Sequence, residues 1–331
     1  MIPSEVRVFR VLPRQVDQTI AAALREWLPQ STWSQVRRLL KGRRVVVSGN
    51  LCMDAARRLQ LQDVVRVLPY PMAPPPAEKD VRLRYLDSHL VVVEKPAGMT
   101  SIRHAEERRW PKRRKQLQPT LDELLPRVIA KREAHARKRP KGVPRPLRAV
   151  HRLDRETSGL MVFARTAAAE RHLARQFRCH TTHRRYLAIV QGSVRSQTIE
   201  SRLVRDRGDG RRGSTSLPNV GKRAVTHVLA LEDLHGYTLV ECRLETGRTH
   251  QIRIHLAELG HPLCGERVYH QPLFGPPRPD PSHPPRLALH AAELGFEHPI
   301  TGQQMAFQSP LPADLAEFLA RLRRSGGAGS A

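Results

Sequence analysis

Apolar residues recur at helical spacing twice near the start of the chain. Ile20, Leu24, Trp27 and Leu28 fall on one face of a helix that Asp17 would cap. Trp33, Val36, Leu39 and Leu40 make a second such face after Ser31 or Thr32. Arg37, Arg38 and Lys41 then face water, and Gly42 stops the helix. Runs at 43–47 and 59–67, with the turn Ser48-Gly49-Asn50 after the first, predict strands. Residues 15–68 therefore read as a small αβ module. The Pro-rich stretch 69–79 reads as a semi-extended linker and the domain boundary.

The larger part, 80–323, alternates strands with helices. Residues 81–87 and 89–94 read as strands, followed by the turn Lys95-Pro96-Ala97-Gly98-Met99. Leu160-Met161-Val162-Phe163-Ala164 is apolar throughout and predicts a strand buried on both faces. Thr166 caps a helix that turns Ala169, Leu173 and Phe177 to one side. Residues 184–190 form another strand, and 224–231 and 237–244 an antiparallel pair joined through Asp233-Leu234-His235-Gly236. Residues 205–222 read as a flexible loop and 271–285 as a Pro-rich one. Leu315, Phe318, Leu319 and Leu322 mark a last helix, before a tail, 324–331, expected to be disordered.

The pattern breaks between 103 and 148. Arg108, Arg109, Lys112, Arg113, Arg114 and Lys115 form one basic block around Trp110. Lys131, Arg132, Arg137, Lys138, Arg139, Lys141, Arg145 and Arg148 form another, with a short helix at 120–126 between them. Such blocks read as mobile extensions, and beside a cleft as a clamp on a polyanion.

Charge narrows the partner. Lys and Arg number 57 against 31 Asp and Glu, a net charge of +26 in 331 residues. That excess points to nucleic acid, and 40% hydrophobic residues exclude a wholly disordered chain. Cys52, Cys179, Cys242 and Cys264 are scattered, as reduced cytosolic thiols are. No apolar run reaches the ~20 residues of a membrane span, and the first residues carry no signal-peptide pattern. A cytoplasmic protein is expected. Cys179-His180-Thr181-Thr182-His183 lacks a second ligand pair, and His250 and His255 lack a third ligand, so no metal site is expected. No cofactor motif is present either.

The chemistry centres on His151-Arg152-Leu153-Asp154-Arg155-Glu156-Thr157-Ser158-Gly159-Leu160, a polar loop that delivers Asp154 to the head of a buried strand. A carboxylate between two arginines should stay ionised, which suits a nucleophile or an electrostatic stabiliser rather than a general acid. Acyl-transfer, aspartyl-phosphate and kinase arrangements all fail on spacing: position 155 is Arg, 156 is Glu, and Leu153 interrupts His-Arg-Asp.

His-Arg-Leu-Asp-x-x-Thr-Ser-Gly resembles the signature of the RluA-type pseudouridine synthases. Three further stretches fit in that family's order. The turn at Lys95 resembles its Lys-Pro-x-Gly turn. Arg185-Tyr186-Leu187-Ala188-Ile189-Val190-Gln191-Gly192 resembles its second motif. Thr246-Gly247-Arg248-Thr249-His250-Gln251-Ile252-Arg253 resembles its strand-to-helix segment. Cys264-Gly265-Glu266 resembles its Gly-Asp turn, with Glu for Asp. Residues 15–68 resemble the RNA-binding fold named for ribosomal protein S4.

The resemblance implies an α+β fold with a mixed, mainly antiparallel central sheet, flanking helices and the small N-terminal RNA-binding domain. It implies isomerisation of uridine in RNA, without cofactor. Asp154 would carry the reaction, Arg253 would hold it, and Tyr186 would stack on the base. Arg152 would fill the gap left by a flipped nucleotide. Arg37, Arg38, Lys41, Arg113, Arg114 and Lys95 are further RNA-contact candidates, with a structural ion pair the alternative at Lys95. Ribosomal RNA is favoured over transfer RNA because of the N-terminal module and the basic insertion. The alternatives are a non-catalytic RNA-binding or assembly factor, and a base-releasing glycosidase. A monomer is the default expectation.

Overall fold

The computed structural model describes residues 6–48, 50–61, 63–72, 74–103, 106–111, 115, 118–135, 147–273 and 275–327. Two compact units result, one through Pro75 and one holding nearly all of the chain from Pro76 onward.

The first unit packs helices α1 (Ile20–Trp27) and α2 (Trp33–Lys41) on an antiparallel sheet. Its strands are β1 (Arg7–Arg10), β2 (Val45–Val47), β3 (Asn50–Leu51) and β4 (Val64–Val67), in the order β1-β4-β2-β3. Ile20, Leu24, Val36, Leu39 and Leu40 fill its core with Val45, Val47, Val65 and Val67. Thr19, not Asp17, caps α1, accepting from the Ala22 amide; Asp17 instead sits at φ +63° in the turn before it. Thr32 and Gln35 form a reciprocal capping box on α2. Trp33 departs from the apolar face: it is 51% exposed, with the Arg25 guanidinium over its ring. The strand expected from residue 59 starts only at Val64. Asp63 draws the chain into a turn first, accepting from the Gln60 amide and the Ser48 hydroxyl.

The second unit is built on one eleven-stranded sheet. Its strands are β5 (Arg82–Leu86), β6 (Leu90–Lys95), β7 (Arg148–Ala149), β8 (Ser158–Ala164), β9 (His183–Gln191), β10 (Gln197–Val204), β11 (Gly213–Ser214), β12 (Lys222–Asp233), β13 (Tyr237–Leu244), β14 (Leu289–Glu297) and β15 (Gln304–Gln308). The order is β11-β10-β12-β13-β9-β14-β8-β6-β5, with β15 on β14 and β7 on β8. Only β14 and β8 run parallel; every other pair is antiparallel. Helices α3 (Leu121–His135), α4 (Ala167–Arg178), α5 (Gln251–Glu258) and α6 (Ala313–Gly327) flank it.

The uninterrupted apolar run of β8 follows from burial on both faces. Leu160 and Val162 pack with Leu173 of α4, while Met161 and Phe163 join the core that holds Ile252 and Leu256 of α5. Two expectations give way. The helix in the basic insertion is longer than 120–126: it runs through Pro126 to His135 and carries Lys131 and Arg132. The last helix continues through Gly327, past the start of the expected tail.

Two histidines lie wholly inside this unit, each 1% exposed. His255 shares hydrogen bonds with Thr226 Oγ1 and Ser201 Oγ, and His290 with Ser158 Oγ and the Ser309 carbonyl. Burial pushes both down to about 4 from the usual 6.5. The folded state therefore holds them neutral where the unfolded chain protonates them. Stability should be intact above pH ~6.5 and fall as pH drops toward 4, by up to about 1.4 kcal/mol per histidine per pH unit. Urea midpoints between pH 7 and 4.5 test this; His255→Gln should flatten the decline, and an unchanged slope would contradict it.

Candidate active site

The loop 151–157 hangs from the head of β8 and is fixed from several sides. His151 accepts from the Val162 amide and stacks on Phe177, with ring centroids 4.5 Å apart. Burial and the nearby Arg184 push its pKa down to about 3, so it stays neutral and structural. Leu153 is buried, and its backbone is stitched to the Ser101 hydroxyl at 2.7 and 3.2 Å. Gly159, second in the strand, has φ +121°, and a Cβ there would meet the Ala291 carbonyl oxygen at 2.2 Å, so only glycine fits.

Lys95 supports the same loop from beneath, which corrects its reading as an RNA contact. It is 1% exposed and donates to the carbonyls of Pro96, Met99 and Arg155, at 2.8–3.1 Å. An ammonium has three N–H donors for those three acceptors. Burial pulls its pKa down to about 7, opposed by Glu156 and Asp154. A residue so enclosed cannot meet a phosphate.

The carboxylate of Asp154 is not paired with its sequence neighbours. Arg155 turns to the Gly98 carbonyl and to Glu156. The partner comes from α5: Arg253 Nη1 lies 3.5 Å from Asp154 Oδ2. Arg253 is itself clamped by Glu266, which accepts from Nε at 2.8 Å and from Nη2 at 2.7 Å. Burial opposes the charges on both, but the mutual pairing wins, holding Arg253 up and Glu266 down. Glu266 also accepts from the amides of Val268 and Tyr269. The residue that replaces Asp in the Gly-Asp turn is thus the anchor of the arginine.

A second contact reaches Asp154 from the other side. His250 Nε2 is 3.8 Å from Oδ1, and Nδ1 shares a 2.7 Å hydrogen bond with the Tyr269 hydroxyl. His250 sits at φ +60° just ahead of α5, and burial keeps its pKa below the usual value. The Arg253 guanidinium lies 5.3 Å above the Tyr269 ring. Glu266, His250 and Tyr269 were missed as site residues, because contacts across the fold tie them to Asp154 rather than spacing along the chain. The only prior signal is an acid after Gly265 and a histidine immediately before Gln-x-Arg.

Tyr186 lies on β9 at the floor. Its register neighbours are Cys242 on β13 and Ala291 on β14, and Ala291 in turn pairs with Gly159. Tyr186 and the start of the Asp154 strand therefore share one row across the sheet. The ring is 8% exposed. Burial raises its phenol above the usual value and Asp154 raises it further, against Arg184. The hydroxyl is thus a donor over the working pH range.

The remaining expected contacts divide. Arg152, two residues before Asp154, is exposed and has no ion pair among the described residues. Arg37, Arg38 and Lys41 are exposed on α2 of the first unit. Arg113 and Arg114 lie outside the described residues. Arg103, at the start of the basic insertion, is buried and clamped by Glu123 at 2.7 Å, with Trp110 beneath it. Among the described residues no group of three or more potential ligands could hold a metal.

A family model described as RNA pseudouridylate synthase matches residues 89–258. An uncharacterized RNA pseudouridine synthase, YlyB of Bacillus subtilis, is 35% identical over 94% of this chain and 95% of its own. Ribosomal large subunit pseudouridine synthase D of Zymomonas mobilis is 37% identical over 81% of each chain. Among solved structures, human RNA pseudouridylate synthase domain containing 4 superposes with a TM-score of 0.56 at 23% identity, over 73% of this chain and 93% of that one. This likeness concerns the fold.

Proposed function

The chain belongs to the RNA pseudouridylate synthase family and is an RNA pseudouridine synthase, and we propose that it acts on uridine in ribosomal large-subunit RNA through Asp154. The observation that carries the site is the anchored carboxylate: Asp154 held by Arg253, with Glu266 behind it, beside a buried tyrosine ring. The RNA assignment follows the named activity of relatives such as the Zymomonas mobilis protein.

The reaction moves one bond. The C1′–N1 bond of uridine breaks, the uracil turns, and C1′–C5 forms; N1 gains a proton and C5 loses one. In one course Asp154 adds to C1′ as the uracil leaves with the bonding electrons, and is expelled when C5 attacks. In the other it takes the proton from C2′ as the base departs, and returns it to C2′ when C5 bonds to C1′. Both courses need a fixed carboxylate, and Arg253 holds it in position from α5. Tyr186 offers a stacking face to the uracil. Arg152 occupies the space the flipped nucleotide leaves, offsetting part of a cost of a few kcal/mol. The first unit serves as an S4-like RNA-binding module, which its exposed Arg37, Arg38 and Lys41 support. The monomer is taken as the working unit by default. The cytoplasm is the expected compartment. Among the described residues no helix is long and apolar enough to cross a membrane.

Large-subunit ribosomal RNA transcribed with 5-tritiated uridine tests the reaction. Tritium should appear in water without free uracil, because C5 loses its hydrogen only when the new bond forms. Release of free uracil would point to the glycosidase instead, and no release to a binding factor.

The support beneath the loop yields a further expectation. Lys95→Met leaves three carbonyls without their donor, a loss of about 2–4 kcal/mol. It also shifts Asp154; a displacement of ~1 Å costs about 100-fold in rate. Thermal unfolding and single-turnover rates would show both losses, and an unchanged rate would contradict the loop's dependence on Lys95.

A further inference from the structure

We propose that a basic cleft beside Asp154 seats a phosphodiester of the RNA chain flanking the target uridine, an inference that rests on the RNA-substrate reading above. The cleft has a volume of about 470 Å³ and is lined by Leu203, Arg205, Arg212, Lys222, Arg248 and Thr249, among others. It is contiguous with the site. Arg248 and Thr249 lead directly into His250, which reaches Asp154, and Arg212 is near enough to push down the pKa of His250.

Its charge is uncompensated. Among the described residues no carboxylate lies within ion-pair distance of Arg205, Arg212, Lys222 or Arg248; Arg248 Nε donates only to the Arg223 carbonyl. The acids of the neighbourhood are already engaged. Asp206 accepts from the amides of Gly208 and Gly210. Asp209 takes Arg207 and the Arg211 amide. Glu200 and Glu245 pair with Arg223, and Glu258 holds Ser214. The surrounding arginines Arg207 and Arg223 are neutralised, and the three arginines and the lysine that line the cleft are not.

The segment is also built rather than loose, which corrects its reading as a flexible loop. Arg207 donates to the Gln271 carbonyl, Arg211 to the Gln271 side chain, and β11 pairs with β10. Gly221 lines the cleft at φ +82°, where a Cβ would meet the Leu203 carbonyl oxygen at 2.9 Å. A group of one lysine and three arginines with no acid paired to it suits a phosphate oxygen, which arginine grips in forked geometry. The RNA chain must run past Asp154 on either side of the flipped nucleotide, so a phosphate has to be seated close by.

The test is the salt dependence of binding to in vitro-transcribed large-subunit ribosomal RNA, measured for Arg212→Gln/Arg248→Gln. Each lost phosphate contact flattens log K against log salt by about 0.7–0.9. The double variant empties the one phosphate seat and should lose about 0.7–0.9 in slope, while Arg212→Lys/Arg248→Lys keeps most of it. Arg323→Gln, which removes a more exposed charge of α6 paired with Glu232 of β12, should leave the slope as it is. If the glutamine pair fails to fold, Arg205→Gln/Lys222→Gln at exposed positions gives the same reading. An unchanged slope in the folded cleft variants overturns the assignment while the substrate reading stands. A wild-type protein that does not bind the transcript overturns the substrate reading, and the cleft with it.

Discussion

Asp154→Ala should cut product formation below about one ten-thousandth of wild type, while RNA affinity changes by less than about threefold. In the proposed reaction this carboxylate acts on the anomeric carbon or its neighbouring proton, and no other described side chain is given that step. The fold should survive. Arg253 keeps its two bonds to Glu266 when Asp154 goes, so no buried charge is stranded. Burst measurements under single-turnover conditions, with binding measured in parallel, separate chemistry from affinity. Residual turnover above that level would remove Asp154 from the reaction.

Arg253→Met should do two kinds of damage. Glu266 has no exposed side-chain surface and would lose its counterion, at about 3–5 kcal/mol of stability. Asp154 would lose its anchor, at about 100- to 1,000-fold in rate. The double change Arg253→Met/Glu266→Leu separates the two. Replacing a buried ion pair by apolar groups of similar size is often neutral, so stability should return while activity does not. Recovery of both would show that Arg253 serves the fold alone. Chemical denaturation and turnover on the same samples decide it.

How far the site was legible depends on how far apart its parts lie. The strand after Asp154 is readable because β8 is buried on both faces and so carries no polar residue from Leu160 to Ala164. Helices α2 and α4 are readable from their apolar faces and threonine caps. Asp154, Tyr186 and Arg253 stand out only through the order of their motifs; no local period marks them. The partner of Arg253 was hidden because Glu266 arrives from the turn after α5. The role of Lys95 was misread for a related reason. A lysine after a strand looks like a surface residue until three carbonyls from two segments close over it. Residues 205–222 have the composition of a loose loop, yet Asp206 and Asp209 spend their carboxylates fixing its turns. Strand β15 is short, with exposed residues alternating along it, and gave little to read.

The most direct measurement maps pseudouridine across total RNA from cells lacking this gene, then from the same cells carrying wild-type or Asp154→Ala protein. One or a few positions in large-subunit ribosomal RNA should lose the modification and regain it only with wild type. No change on loss of the gene, or restoration by the alanine variant, would contradict the account.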